Sequence, residues 1–332
     1  MGDLVWPNAE SAANSDPWLV EHHDEITRMR PRVLGVNFVH GLREPEARRQ
    51  LQTLSAVLAE SSRWQGYRDP RAPIFLDYQV GEILDFTEPA GRVDRNSAQF
   101  PRNGIRLDYA RLYALIDLQA RVERGEVHEV WLLADHTDHT WPWETVEVKA
   151  AYDERFTRTG RFARFAGNSG EHNAPWLGRS VRTLFVNHAR GVGCAMESLG
   201  HSLEWMATCG AIPYYERHFR EYAMLDLYQR ERFDHPPGWV SPGGNVHFMP
   251  NGRFHYDLDG GPPVLSTIET WRQRDERAVP WTPAPLERYR NFAPDCMGRW
   301  VVYWRQNMPG YGNTALDEQG HQMKNWWPFL FY

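Results

Sequence analysis

The feature that most constrains the fold is a series of apolar runs that alternate with amphipathic segments. Strands are predicted at residues 32–39, 73–80, 127–134 and 181–187. Helices are predicted at residues 44–61, 108–124, 191–208 and 214–233. Apolar strands that alternate with helices favour a parallel sheet covered on both faces. The sequence therefore predicts an α/β fold with a mostly parallel sheet and flanking helices, a Rossmann-like three-layer core.

The segments outside these elements suggest three regions. Residues 1–30 are predicted to be irregular, with a short helix near 17–28, and residues 31–234 to form the α/β core domain. Residues 135–180 are polar and aromatic and interrupt this core as an insertion. Residues 235–332 are rich in Pro, Gly and Trp and are predicted to form an irregular extension that packs on the core and completes the site. The apolar last seven residues are expected to tuck into the core.

Composition excludes several classes of protein. The net charge is -6 with acidic and basic residues mixed along the chain, so a nucleic-acid partner is not expected. No apolar run approaches the roughly 20 residues that span a bilayer, and the N-terminus lacks the features of a signal peptide. A cytoplasmic protein is therefore expected, unless a leader has been removed. Nothing predicts the oligomeric state.

Cysteines and phosphate-binding motifs give two further expectations. The three cysteines are odd in number and match no metal motif, which predicts free, mostly buried thiols and no disulfide framework. Neither a phosphate loop nor a complete dinucleotide fingerprint is present, so no nucleotide cofactor is expected. The segment Arg190-Gly191-Val192-Gly193 does open a helix after a strand, which favours anion binding there.

Polar residues gather where the predicted strands end. In open α/β sheets, ligands bind beyond the carboxyl ends of the strands, so a site is expected at this edge. Glu144 is predicted to approach it from the insertion. The other strand-end residues considered for the site are His40, the cluster Asp135–His139, Trp143, His188 and Arg190.

The helix at 191–208 carries the most informative pattern. Glu197, His201 and Glu204 fall within an arc of about 60° on one face. His201 and Glu204 could bind a divalent metal, for which zinc is favoured, with Glu197 as general base toward a metal-bound water. Candidates for a further ligand are His188, His247, Asp135 and His139. Two alternatives stay open: a metal-free carboxylate acid/base pair tuned by His201, and a solvated helix face with no site.

The extension adds residues suited to a hydroxyl-rich ligand. Asn251 and Asn325 could bond hydroxyl groups, while Trp143 and Trp326 could form stacking walls. Arg190 and His40 are further candidates for contact with substrate. Turn chemistry by Gly, Pro and Asn explains the same segments without any ligand.

An ordered series of these motifs resembles a family of uncharacterised bacterial proteins, many of them secreted and carrying carbohydrate-associated or adhesive modules. The resemblance covers roughly residues 32–327, and it implies a shared site without an established activity. It leaves secretion open. The motifs that carry it are Gly125–Trp131, Trp143-Glu144, Arg190–Gly193 followed by Glu197, Gly200-His201 and Glu204, then Gly244–His247 with Pro250-Asn251 and Tyr256-Asp257, and finally Asn325-Trp326-Trp327.

Together these patterns predict an enzyme, a hydrolase or related acid/base catalyst that acts on a small molecule or saccharide rich in hydroxyl groups. Glu197, His201, Glu204 and Glu144 are the candidate catalytic residues. Two alternatives belong to other classes: a non-catalytic carbohydrate-binding protein, and a biosynthetic cyclase or isomerase that uses general acid/base chemistry. No membrane association is expected.

Overall fold

The computed structural model describes residues 2–11, 16–87, 102–103, 106–135, 142–167, 171–225 and 232–332. The helices are α1 Asp16–Glu21, α2 Glu44–Ser61, α3 Tyr109–Leu115, α4 Leu118–Glu123, α5 Val192–Met206, α6 Pro213–Ala223 and α7 Gly298–Asn307. The strands are β1 Leu4–Trp6, β2 Ile26–Met29, β3 Arg32–Asn37, β4 Gln79–Asp85, β5 Arg102–Asn103, β6 Arg106–Leu107, β7 Glu129–Ala134, β8 Thr145–Tyr152, β9 Arg158–Ala166, β10 Val181–Asn187, β11 Val240–Ser241, β12 Val264–Ser266 and β13 Val279–Trp281. Two 3₁₀ turns cover Ala284–Tyr289 and Trp327–Phe331.

The central sheet has six strands in the order β4-β3-β7-β10-β8-β9. The first four strands are parallel neighbours, whereas β8 pairs antiparallel with β10 and β9 pairs antiparallel with β8. The prediction of an α/β protein with a mostly parallel sheet is therefore confirmed. Because the sheet is mixed, the predicted Rossmann-like core is not confirmed.

Both faces of this sheet are apolar. On one face Trp131, Leu184 and Val186 join a large cluster that also contains residues of α2, α5, α6 and α7. On the other face Val130 and Leu132 join a second cluster with residues of α3 and α4. Burial on both sides explains why β7 and β10 read as nearly continuous apolar runs.

Residues of the 235–332 segment share the first of these clusters. Trp300 and Trp304 of α7 are fully buried, and so are Trp326 and the four residues Phe329–Tyr332. Arg305 of α7 donates from Nη2 to the Met196 carbonyl of α5 at 2.6 Å. The expectation that the apolar C-terminal residues tuck into the core is confirmed, and α7 is a regular helix that the sequence patterns did not predict.

Four predicted elements differ from the observed ones. The helix predicted at 214–233 ends at Ala223, after which Met224 has a φ of 50°, and the short helix predicted near 17–28 ends at Glu21 and is followed by β2. The strand predicted at 73–80 is wrong, since β4 begins only at Gln79. Phe75 and Leu76 are buried but pack against β2, where Leu76 forms a single bridge to Met29. The helix predicted at 108–124 starts as expected, with Asp108 accepting from Arg111 N, but breaks at Asp117, which has a φ of 50°.

The insertion at 135–180 contains strands that were not predicted. β8 and β9 extend the sheet as an antiparallel hairpin. All eight residues of β8 are buried, including the charged Glu147 and Lys149. These two charges break the apolar pattern by which a buried strand is recognised in sequence.

A network of buried charges crosses the middle of the sheet. Arg182 of β10 donates to Glu129 Oε1 of β7 at 2.7 Å and to Glu147 Oε2 of β8 at 3.0 Å. Lys149 lies 3.2 Å from Glu147 Oε1 and donates to the Phe329 carbonyl at 2.9 Å. Burial raises the pKa of Glu129, and Arg182 opposes that shift. Buried charges are tolerated only when they are paired and hydrogen-bonded, and this network meets both conditions.

The prediction of free thiols is wrong for two of the three cysteines. Cys194 and Cys296 form a disulfide, whereas Cys209 is free. The two partners are 102 residues apart in sequence, so no local spacing could have indicated the bond. Among the helices of the described residues, none combines the length and the apolar character needed to cross a bilayer.

Candidate functional site: a buried histidine–carboxylate cluster

Helix α5 is buried on nearly all sides. Its apolar residues Met196, Leu199 and Leu203 are fully buried in the core. Its polar stripe is also buried, with exposed fractions of 6% for Glu197, 1% for His201 and 5% for Glu204. The alternative of a solvated helix face is therefore wrong. The stripe faces the segment 245–256 of the extension instead of water.

Glu204 holds His201 in one orientation. His201 Nδ1 lies 3.0 Å from Glu204 Oε2, and an ionised carboxylate accepts this ring proton. The other oxygen, Oε1, accepts the Val246 backbone N–H at 2.9 Å. Since both oxygens of Glu204 are engaged, Glu204 orients the imidazole. His201 Nε2 is thereby turned toward Glu197 and Glu144.

Glu197 lies where three other side chains converge. Its Oε1 is 3.1 Å from His247 Nε2 and accepts a hydrogen bond from Tyr256 OH at 2.5 Å. The same oxygen is 3.9 Å from His201 Nε2. Glu144 adds a second carboxylate, with Oε2 at 3.7 Å from His201 Nε2. Four of these five residues were predicted for the site, and the structure brings them together.

His247 is oriented in the same way as His201. Its Nδ1 lies 3.0 Å from His255 Nδ1, which leaves Nε2 toward Glu197. Metal-binding histidines usually have their second ring nitrogen bonded to an outer group, because this fixes the ring and its tautomer. Both imidazoles of the cluster satisfy this condition.

Glu197, His201 and His247 each offer a ligand atom within 4.8 Å of the other two. Tetrahedral zinc with nitrogen or oxygen ligands at about 2.1 Å separates those ligands by about 3.4 Å. Glu197 Oε1 lies 3.1 Å from His247 Nε2 and 3.9 Å from His201 Nε2, one distance below and one above this value. The three side chains can therefore reach one ion with small rotations.

The electrostatics of the cluster favour an ionised Glu197. Burial alone would raise the pKa of Glu197, but the neighbouring His201 and His247 hold it well below its usual range. Burial alone would lower the pKa of His201, but the carboxylates of Glu197 and Glu204 raise it to about 10. Such opposed shifts are characteristic of sites that hold a cation or move protons.

Solvent reaches the cluster from one side. The exposed fraction of the side chain rises from 1% for His201 to 8% for Glu197 and 19% for Glu144. Tyr256, whose hydroxyl bonds Glu197, is 47% exposed. A ligand would therefore approach along the edge formed by Glu144 and Tyr256.

The segment that carries His247 is held by a buried asparagine. Asn245 Oδ1 accepts the N–H groups of His247 and Phe248, both at 3.0 Å. The Asn245 carbonyl accepts from Trp300 Nε1 at 2.8 Å. These bonds tie the turn to α7, so the position of His247 is set by the packing of the extension on the core.

Gly200 allows this segment to approach α5 closely. A Cβ atom placed on Gly200 would lie 2.4 Å from Val246 Cγ2. The flanking Val246 N–H is the group that Glu204 binds. Contact with the chain's own segment therefore explains why a glycine lies beside the polar stripe.

We expect Gly200→Ala to destabilise the protein by about 1–3 kcal/mol, because the added methyl group overpacks a filled contact. Urea denaturation of both proteins measures the difference. The double variant Gly200→Ala/Val246→Ala should recover part of the loss, because it removes the clashing Cγ2. Equal loss in the single and the double variant would contradict this explanation.

Most of the strand-end residues lie elsewhere. His40 is exposed, and His188 is half-buried with Nδ1 at 3.0 Å from the Gln50 amide nitrogen. Asp135 is half-buried, and His139 lies outside the described residues. Neither His188 nor Asp135 belongs to a group of potential metal ligands found among the described residues. His247 is the further candidate ligand that meets His201.

The N-terminus of α5 is closed by the chain's own carboxylate. Asp295 accepts the N–H groups of Gly193 at 3.0 Å and Cys194 at 3.2 Å. A bound anion was predicted for this position, and Asp295 already fills that role. Arg190 is exposed and its Nη2 lies 3.0 Å from Cys296 Sγ.

The aromatic and amide residues predicted to bind substrate are mostly structural. Trp326 is fully buried among Tyr215, Phe219 and Trp271, so it cannot form a stacking wall. Asn251 is fully buried and donates to the Gly261 carbonyl.

Asn325 and Trp143 occupy other surroundings. Asn325 lines a separate cavity of about 530 Å³ with His23 and Tyr214. Trp143 is half-buried next to Glu144 in sequence and donates from Nε1 to the Glu171 carbonyl at 3.2 Å. Of the two predicted stacking residues, only Trp143 remains a candidate.

The pattern analysis did not select Tyr256 or His255 as site residues. Tyr256 occurs in the motif Tyr256-Asp257 that contributes to the family resemblance, which was the available signal. His255 had no signal, because a single histidine in a loop has no periodicity to mark it.

No protein-family model and no curated protein matches this chain. Its function is therefore argued from the geometry of the cluster itself.

Proposed function

We propose that the protein is a divalent-metal-dependent hydrolase whose ion is held by Glu197, His201 and His247, with zinc the favoured metal. The observation that supports this is the shared orientation of two buried imidazoles. Both present Nε2 to the same Glu197 carboxylate, while their Nδ1 atoms are bonded to Glu204 and His255. Two histidines and one glutamate are a ligand set of catalytic zinc enzymes.

A bound ion would lower the pKa of a coordinated water and polarise the bond to be cleaved. Glu144 is the group placed to accept the proton of the attacking water, since its buried Oε2 lies 3.7 Å from His201 Nε2 while its side chain as a whole is 19% exposed. This role replaces the one expected for Glu197, whose oxygen meets both imidazoles. Glu204 holds the Nδ1 side of His201, so that Nε2 faces the ion, which would displace the Nε2 proton on binding.

Tyr256 and Trp143 are proposed to meet the substrate. The Tyr256 hydroxyl lies at the exposed edge, where it can donate to a developing oxyanion after release from Glu197. A small polar substrate that is rich in hydroxyl groups fits an edge lined by Glu144, Tyr256 and His255. The motif series that resembles the bacterial family contributes Glu144, Glu197, His201, Glu204, His247 and Tyr256 to the cluster, and this resemblance supports a common site.

The alternative of a carbohydrate-binding module has less support. It requires a shallow aromatic platform, yet none of the tryptophans in the described part of the chain is exposed. It also expects carboxylates with ordinary pKa values, whereas the pKa of Glu197 is strongly lowered. A cyclase or isomerase would use the same residues without a metal, so the metal content separates it from the proposal.

The test is metal analysis of the purified protein before and after chelation, combined with thermal melting and hydrolase assays. We expect about one equivalent of zinc per chain, and a melting temperature that falls by several degrees on chelation, because an ion that binds the folded state stabilises it. Zinc returned to the chelated protein should restore both. Failure to bind zinc, manganese or cobalt on re-addition would overturn the metal mechanism and leave acid/base catalysis by Glu144 and Glu197.

A further inference from the structure

The Cys194–Cys296 disulfide lies against the histidine–carboxylate cluster without a part in the proposed mechanism. Cys194 is buried in the first turn of α5, one turn before Glu197, and Cys296 is half-buried in the loop before α7. Ligand atoms of Cys194, Glu197 and Cys296 all lie within 4.8 Å of one another. Glu197 therefore belongs to two groups of potential ligands, one with the imidazoles of His201 and His247 and one with the two sulfurs.

The surroundings favour negative charge on the sulfurs once the bond is broken. Arg190 Nη2 lies 3.0 Å from Cys296 Sγ, and Cys194 occupies the third position of α5, near the positive end of the helix dipole. Both features promote the thiolate form of a cysteine. Asp295 opposes them, because its carboxylate binds the N–H groups of the same turn.

The loop stays docked on α5 by contacts other than the disulfide. Asp295 bonds Gly193 N and Cys194 N, and a Cβ on Gly193 would lie 2.0 Å from the Asp295 carbonyl oxygen. A Cβ on Gly298 would lie 2.8 Å from the Gly193 Cα. The backbones around Cys194 and Cys296 are therefore held together when the sulfurs separate.

We infer that reduction of this disulfide creates a second metal site, in which the Cys194 and Cys296 thiolates and the Glu197 carboxylate bind a thiophilic divalent cation such as zinc. The Cα atoms of the cysteines are 5.5 Å apart. Two sulfurs bound to one zinc lie about 3.8 Å apart. Rotation of the two cysteine side chains can therefore bring the separated sulfurs to this distance. Glu197 would be shared with the site formed by His201 and His247.

The chemistry is a two-electron reduction followed by metal binding. A dithiol breaks the S–S bond, gives two electrons and two protons to the two sulfurs, and becomes a cyclic disulfide itself. Binding of the cation then releases the two thiol protons, because the thiolate is the ligand. The inference does not rest on the proposed hydrolase function, since only Glu197 is common to both sites.

Cobalt(II) titration of the oxidised and the reduced protein tests this inference. The reduced sample is treated with dithiothreitol, freed of it by gel filtration under argon, and titrated in parallel with the untreated sample. We expect the reduced protein to bind about one equivalent more than the oxidised protein. A near-ultraviolet sulfur-to-cobalt charge-transfer band should appear only in the reduced sample.

Three variants assign the signal. Cys194→Ser/Cys296→Ser should lose the band under reduction, whereas Cys209→Ser, which removes the free cysteine, should keep it. His201→Ala should also keep the band while losing the cobalt bound in the oxidised protein. Equal cobalt uptake by the two redox forms, or a band that survives in Cys194→Ser/Cys296→Ser, would overturn the inference. If only the proposed function is wrong, the oxidised protein should bind no cobalt, while the reduced protein should still show the sulfur-to-cobalt band.

Discussion

Glu197→Gln is expected to lower zinc affinity by at least about 100-fold, more than the loss caused by removing an outer partner of a metal ligand, and to abolish hydrolysis. The substitution removes a carboxylate that meets both His201 and His247. The fold should persist, because the glutamine oxygen can still accept from Tyr256. Competition for zinc with a chromophoric chelator, a hydrolase assay and circular dichroism measure these three effects in turn.

Glu318→Gln is the matched control for this experiment. Glu318 also bonds a buried histidine, with Oε2 at 2.9 Å from His218 Nε2, but it lies in neither group of potential metal ligands. The Glu318→Gln protein should therefore bind zinc as tightly as the unsubstituted protein does. Normal zinc content in Glu197→Gln would refute the assignment of Glu197 as a ligand.

Arg182→Met is expected to destabilise the protein by about 3–5 kcal/mol, the range found when one partner of a buried ion pair is removed. Methionine fills much of the same space but leaves Glu129 and Glu147 facing each other without a cation between them. It also leaves Ser202 Oγ without the Arg182 Nε–H that it accepts at 2.9 Å. Urea denaturation at neutral pH measures the change.

Arg161→Met provides the comparison, since Arg161 is exposed on β9 of the same sheet. A change of no more than about 0.5 kcal/mol is expected there. Similar midpoints for Arg182→Met and Arg161→Met would show that the network contributes little to stability. A double variant that also replaces Glu129 with glutamine should recover part of the loss, because it removes the buried charge that Arg182 compensates, whereas Glu147 keeps Lys149 at 3.2 Å.

The elements that could be predicted from the sequence are those whose burial follows a simple period. Helix α2 has the bounds expected from Leu51, Leu54 and Leu58, and β10 those expected from its apolar run. β8 was missed because Glu147 and Lys149 neutralise each other inside the core, which no pattern of hydrophobicity reveals. The strand at 73–80 was misplaced because a buried extended segment can pack without joining the sheet.

The candidate site was predictable to the extent that it lies on one helix. The spacing of Glu197, His201 and Glu204 placed them on one face of the helix. The burial of that face depends on the segment 245–256, which lies about 40 to 60 positions later in the chain. His40 and His188 follow strands, as ligand-binding residues often do, but neither belongs to a group of potential metal ligands found among the described residues. Sequence proximity to a strand end therefore selected fewer site residues than helical spacing did.

The hydrogen bonds from Arg182 to the Leu330 carbonyl and from Lys149 to the Phe329 carbonyl have a consequence for synthesis of the chain. The donor and acceptor are 148 residues apart in one bond and 180 in the other. A nascent chain that has emerged only through β10 holds two cations whose carbonyl acceptors have not yet been translated. Completion of the sheet's interior must therefore wait until the segment 326–332 leaves the ribosome, so the core of this protein closes after its strands have been made.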